Sequence, residues 1–247
     1  MLFYMLKNLN KMLTLNSNSL AVVRLQMQLR QFDFYSGLID GFYDETMRNA
    51  VIEFQKKYNL VADGIAGPKT LTIANTVCAD GFHTLFLHCS AGPEFRDAKA
   101  EQIIAMHTLP VAKGGRGWSK PGYADVIETS GKLVNIWKYN EDNLINEWEQ
   151  TWGVLGTTLL NRNARHVCYI GGMTADMRMP KDTRTPGQLL TMYNYVHDII
   201  KHNPKIIIAG HNQVQNKACP SFDVPKYLES IKIPAYNIAN WSLKLKI

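Results

Sequence analysis

The run Thr84-Leu85-Phe86-Leu87-His88-Cys89 is apolar without alternation. A strand of that composition has no solvent face, so its sheet needs cover on both sides. The remaining C-terminal pattern is compatible with such a sheet. Ala98 to His107 has helical spacing, Ala124–Ile127 and Lys132–Ile136 flank Ser130-Gly131 as a hairpin, and His166–Ile170 is another apolar strand ending at Gly171-Gly172. Thr185-Pro186-Gly187-Gln188 is a capping box with proline at the first helical position, opening a helix to about His202. Lys205 to Ala209 forms a further strand that ends at His211. Strands mixed with helices indicate an α/β or α+β domain.

Upstream the periodicity changes. Leu20, Val23, Leu25 and Leu29 fall near helical spacing, followed by a polar break through Gly37 and Asp40-Gly41. Met47, Ala50, Val51, Phe54 and Tyr58 recur at steps of three and four, the stripe of an amphipathic helix, with Asp44 ahead of it as N-cap. The turn from Asp63-Gly64 to Gly67-Pro68 precedes a third helix around Thr70–Ala74. These features predict a small all-α, three-helix domain within residues 1–76, a linker at 77–82 containing Cys78, Asp80 and Gly81, and a second domain at 83–247.

Composition narrows the class. With 46% hydrophobic and 19% charged residues, the 247-residue chain has material for packed cores. A formal charge of +6 favours anionic surfaces such as nucleic acid, acidic lipid or wall polymers, but no aromatic-basic motif supports nucleic acid as the partner. Met1–Leu6 is apolar, yet Lys7 and Lys11 interrupt it and no small-residue cleavage site follows, so it reads as a short leader or the edge of the first domain and not a secretory signal. No run approaches the roughly 18 apolar residues of a membrane span. Oligomeric state is not legible.

His88 and His211 each close a strand, and Cys219 stands eight residues beyond His211, between Ala218 and Pro220. Two imidazoles and a thiolate suit Zn2+, and three protein ligands leave a fourth position for water or substrate. By itself this is weak, because ligands so dispersed have no diagnostic spacing. Cys89 alternates with His88 and is expected on the opposite, core face, and Cys168 reads as another core residue. His83, His166, His197 and His202 show no partner in the sequence. From Trp137 to Trp152, Glu141, Asp142, Glu147 and Glu149 stand among three tryptophans; the segment reads as a variable loop bordering a substrate groove, its charges as those of a solvated helix, with aromatic contact to glycan or peptide as the other reading.

Two sets of residues carry family resemblances. Leu25-Gln26, Asp40-Gly41-Phe42, Thr46, Ala50-Val51, Phe54-Gln55, Leu60, Asp63-Gly64, Gly67 and Thr70 resemble the peptidoglycan-binding domain found beside many wall hydrolases. Here Tyr43-Asp44 replaces that family's usual glycine. The blocks His88-Cys89-Ser90-Ala91, Gly122-Tyr123, Asn161 and Asn163 before Gly171-Gly172, Thr185–Gln188 and Asn216-Lys217-Ala218-Cys219-Pro220-Ser221-Phe222-Asp223 resemble the zinc-dependent N-acetylmuramoyl-L-alanine amidases of the phage-lysozyme and peptidoglycan-recognition-protein type. That resemblance implies a mixed central sheet flanked by helices, zinc bound by His88, His211 and Cys219, and catalytic assistance from Tyr123 and Lys217. It also implies hydrolysis of the amide between N-acetylmuramic acid and L-alanine of bacterial peptidoglycan. His107 matches a family histidine on the first helix, where packing is favoured over catalysis.

The chain departs from many relatives in having Ala124, not histidine, directly after Tyr123, and in lacking a histidine between Trp148 and Leu160. A non-catalytic peptidoglycan receptor of the same fold would typically lack the cysteine ligand, which is present. A glycosidase would need paired carboxylates, and none lies in these blocks. A zinc deaminase would need His-x-Glu and Pro-Cys-x-x-Cys elements, which are missing. A hydrolase with a wall-binding module and no evident signal peptide resembles an endolysin, made in the host cytoplasm and acting on the wall after release. A bacterial autolysin of the same chemistry is the alternative.

Overall fold

Buried glutamines organise the N-terminal helices. In a computed structural model that describes residues 12–77, 81–140, 142–154 and 158–241, α1 (Leu20–Gln31), α2 (Glu45–Lys57) and α3 (Pro68–Val77) form the expected bundle. Ser19 caps α1 through Val22 N–H, and Asp44 caps α2 through Met47 N–H at 2.8 Å. Gln26, fully buried, accepts the Asp40 and Gly41 amides on Oε1 and donates to Asp40 Oδ1 and the Phe42 carbonyl. Gln55 repeats the device on the second turn, accepting Gly64 N–H and donating to Asp63 Oδ1 and the Ile65 carbonyl. Gly41 (φ 79°) and Gly64 (φ 71°) supply the left-handed conformation that each turn requires. The Gln and Asp-Gly positions are thus structural pins. Tyr43, at the departure from the family pattern, is fully buried and donates to the Gly64 carbonyl.

The C-terminal part is built on β1 (Thr84–Cys89), β2 (Gly92–Pro93), α4 (Ala100–Thr108), β3 (Asp125–Ile127), β4 (Leu133–Asn135), α5 (Thr158–Asn161), β5 (Ala164–Tyr169), β6 (Gly172–Met173), α6 (Pro186–His202), β7 (Ile207–Gly210) and α7 (Val224–Ser230). The main sheet has the order β4-β3-β5-β1-β7, parallel except for the β3/β4 hairpin. It is the mixed, helix-flanked sheet that the sequence predicts. The Thr185 capping box on α6 forms in both directions, with Gln188 N–H to Thr185 Oγ1 and Thr185 N–H to Gln188 Oε1.

Register determines what each face meets. Leu85, Leu87 and Cys89 share one face with Val167, Tyr169 and Ile208, and pack with Met192, Val196 and Leu228 of α6 and α7. Thr84, Phe86 and His88 share the other face with Ala164, His166, Cys168, Ile207 and Ala209. The lower part of that face continues into the apolar cluster of the N-terminal helices, which holds Leu25, Met27, Phe86, Ala164, Ala209 and Trp241 together. Arg30, 1% exposed, crosses the same boundary: it donates to the carbonyls of Tyr236 (2.6 Å) and Gly37, with its guanidinium 3.8 Å from the Tyr236 ring centroid.

The Trp137–Trp152 segment is a loop, as one reading of the sequence has it, and the solvated-helix reading of its charges fails: its described residues hold turns and no helix, and Glu149 is buried, accepting the amides of Asn140 and Asn146. A carboxylate that satisfies loop amides substitutes for the hydrogen bonds a helix would have made. Glu141, Cys78 and residues 1–11 and 242–247 lie outside the described residues. No helix among the described residues is long and apolar enough to cross a membrane.

Candidate metal centre

His88 is the penultimate residue of central strand β1, and His211 directly follows the adjacent strand β7. Because Leu87 is in register with Gly210, the next residues emerge side by side at the same sheet edge. Their Nδ1 atoms are 3.1 Å apart. The loop after β7 folds back so that Asn212 N–H donates to the Cys219 carbonyl at 2.7 Å, returning Cys219 to the start of its own loop. Cys219 Sγ then lies 3.7 Å from His88 Nδ1 and accepts the Cys89 N–H at 3.2 Å. The three donor atoms all fall within 4.8 Å of one another. Neutral nitrogen donors and a sulfur converging at that spacing match the ligand preferences of zinc.

The electrostatics maintain the imidazoles in their ligating, neutral form. Burial, then the charges of His211, His166 and Lys217, keeps His88 well below its ordinary range. Burial pushes His211 down to about 4, with Lys217 acting in the same direction and the Gln215 hydrogen bond against it. Both therefore retain a free lone pair at neutral pH.

The Tyr123 ring lies beside the cluster, its centroid 5.0 Å from that of His88. Burial raises its phenol well above the ordinary value, so it stays protonated. The backbone next to it is held from below: Gly122 N–H donates to His107 Nδ1 at 3.2 Å, and the buried His107 ring stacks on Trp118 (4.8 Å, 17°). His107 thus supports the strand entry that carries Tyr123. Lys217 is exposed on the His211–Cys219 loop, its amide bonded to the Gln215 carbonyl. Cys89 lies on the opposite sheet face, buried, with Sγ 3.6 Å from Ser221 Oγ. A cavity of about 620 Å³ lies against the loop that joins His211 to Cys219, lined in part by Asn212, Ala218, Ser221, Phe222 and Trp241, with none of His88, His211, Cys219 or Tyr123 in its wall.

Two side chains next to the ligands escape the sequence reading. His166 has a partner after all: its Nδ1 is 2.9 Å from His88 Nε2. Gln215 Oε1 is 2.7 Å from His211 Nε2. The signal for His166 is a histidine inside a strand whose every residue is buried, because a fully buried imidazole needs a hydrogen-bond partner.

Known proteins share parts of this chain. The peptidoglycan binding domain family matches residues 18–73. An endolysin of Enterobacteria phage K11 is 26% identical over 147 residues, 59% of this chain and 84% of that one. The N-acetylmuramoyl-L-alanine amidase CwlM of Mycobacterium tuberculosis is 46% identical over 50 residues, 20% of this chain and 12% of that protein. Among solved structures, the Ph2119 endolysin from a Thermus scotoductus bacteriophage aligns at 21% identity and a TM-score of 0.44, over 60% of this chain and 82% of that one. By these matches residues 18–73 belong to the peptidoglycan binding domain family, and the chain is similar to phage endolysins and to a peptidoglycan amidase.

Proposed function

We propose that this protein hydrolyses the amide joining the lactyl group of N-acetylmuramic acid to L-alanine, with zinc held by His88, His211 and Cys219. Residues 1–76 form the wall-binding domain in this reading, and 83–247 the catalytic domain. The enzyme acts on the wall after release from the cell that makes it. The observation that carries the reading is the convergence of His88 Nδ1, His211 Nδ1 and Cys219 Sγ at one sheet edge, with the Tyr123 ring beside them. Bound zinc supplies a Lewis acid that polarises an amide carbonyl and makes water nucleophilic near neutral pH. Tyr123, kept protonated by burial, donates a hydrogen bond to the oxygen that becomes negative as the carbonyl is attacked. Lys217, on the ligand loop, adds positive charge at the same place.

Digestion of purified peptidoglycan with and without a chelator, followed by mass spectrometry, tests the reading. Intact stem peptides with new alanine amino groups, lost on chelation and restored by zinc, are expected. New reducing ends, cleavage indifferent to chelation, or binding without cleavage would each refute it.

A further inference from the structure

We infer that His166 is a positioning residue of the metal centre, holding His88 in the tautomer that presents Nδ1 to the metal; this rests on the zinc reading above. The two nitrogens of His88 face different neighbours. Nδ1 looks toward His211 Nδ1 (3.1 Å) and Cys219 Sγ (3.7 Å), whereas Nε2 is 2.9 Å from His166 Nδ1. A neutral imidazole carries one N–H and one lone pair, so ligation through Nδ1 puts the His88 proton on Nε2. That N–H needs an acceptor, and His166 Nδ1 provides it. His166 then bears its own proton on Nε2, a buried atom with no hydrogen-bond partner among the described residues. Among the described residues, the one hydrogen bond its ring makes is therefore directed at the proposed ligand His88.

Two contacts fix the ring that accepts this proton. His166 lies nearly parallel to Phe86, with centroids 5.4 Å apart and 9° between planes. On its edge, a Cβ at Gly153 would fall 2.5 Å from His166 Nδ1, so only glycine leaves room for the ring. The arrangement at His211 is equivalent, with Nε2 directed to Gln215 Oε1 and Nδ1 inward. Outer hydrogen bonds of this kind select the tautomer and ring orientation of a ligating histidine.

The test compares His166→Phe, which retains the stack on Phe86 but removes the acceptor, with His166→Asn, whose Oδ1 can occupy the place of Nδ1. Zinc dissociation constants of the full-length proteins are measured by competition with a chromophoric chelator, and circular dichroism verifies the fold. H166F is expected to bind zinc about 10–100-fold more weakly, with H166N restoring most of the loss. Wild-type affinity in H166F, or an H166N as weak as H166F, would overturn the assignment. Independently of any variant, nitrogen-15 NMR of the zinc-free wild type should find the proton on Nε2 of both His88 and His166; a proton on His166 Nδ1 would also overturn it. Failure of the wild type to take up zinc would instead remove the metal reading on which this rests.

Discussion

The Nε2 atom of His211 lies 2.7 Å from Oε1 of Gln215, so a side chain four residues along the same loop orients the outer edge of one imidazole of the candidate metal centre. Replacing Gln215 by Leu removes the acceptor and leaves the ring free to turn. Zinc affinity of Gln215→Leu is expected to fall about tenfold, while Gln215→Glu, which still accepts, remains near wild type. Equilibrium dialysis with zinc would measure both.

In the proposed reaction Tyr123 and Lys217 would donate to the charge that develops on the attacked carbonyl, without holding the metal. Tyr123→Phe and Lys217→Ala should each lower the rate of alanine amino-group release by about 10²–10³-fold, the usual cost of a lost oxyanion donor. Zinc content, read by atomic absorption, should be unchanged in both.

His107 accepts the buried Gly122 N–H and stacks on Trp118. His107→Phe preserves the stack and leaves that amide without its acceptor, a loss of about 1–3 kcal/mol. Urea denaturation should register this destabilisation, and turnover should fall through displaced Tyr123 while zinc remains bound.

Stability should decline below neutral pH. Burial, followed by the charge of Arg24, pushes His83 down to about 3, and burial, followed by Arg116, pushes His107 down to about 4. In the unfolded chain both titrate near 6.5. Between pH 6.5 and about 4 the unfolded state takes up protons that the folded state does not, so their contribution is complete above pH 6.5 and is lost as pH falls. Each group contributes a slope of up to about 1.4 kcal/mol per pH unit. Urea denaturation from pH 7 to 5 in chelator should show the decline, and His83→Phe should make it shallower.

Arg30 donates to Tyr236 and Gly37 carbonyls from a buried position at the boundary between the helical bundle and the sheet. Arg30→Met keeps the apolar stem and leaves those carbonyls unpartnered, at a cost of about 2–4 kcal/mol. Because one apolar cluster spans that boundary, calorimetry of the wild type should show a single cooperative transition, and the variant should shift all of it downward.

Local patterns determined much of this protein. The apolar β1 run, the three-and-four spacing of α2, the Asp44 cap and the Thr185 capping box are written in consecutive residues, because helix and strand periodicity and end-capping act over a few positions. The motif residues Gln26, Asp40-Gly41, Gln55 and Asp63-Gly64 were legible as family markers, but their role as turn pins required the hydrogen bonds. Tertiary structure alone decided that β5 lies beside β1, which places His166 against His88, and that Glu149 closes a loop instead of facing solvent. It also decided that the bundle covers the face of the sheet whose edge carries His88. Strand order and the partner of a buried polar group depend on residues far apart in the chain, and no local periodicity encodes them.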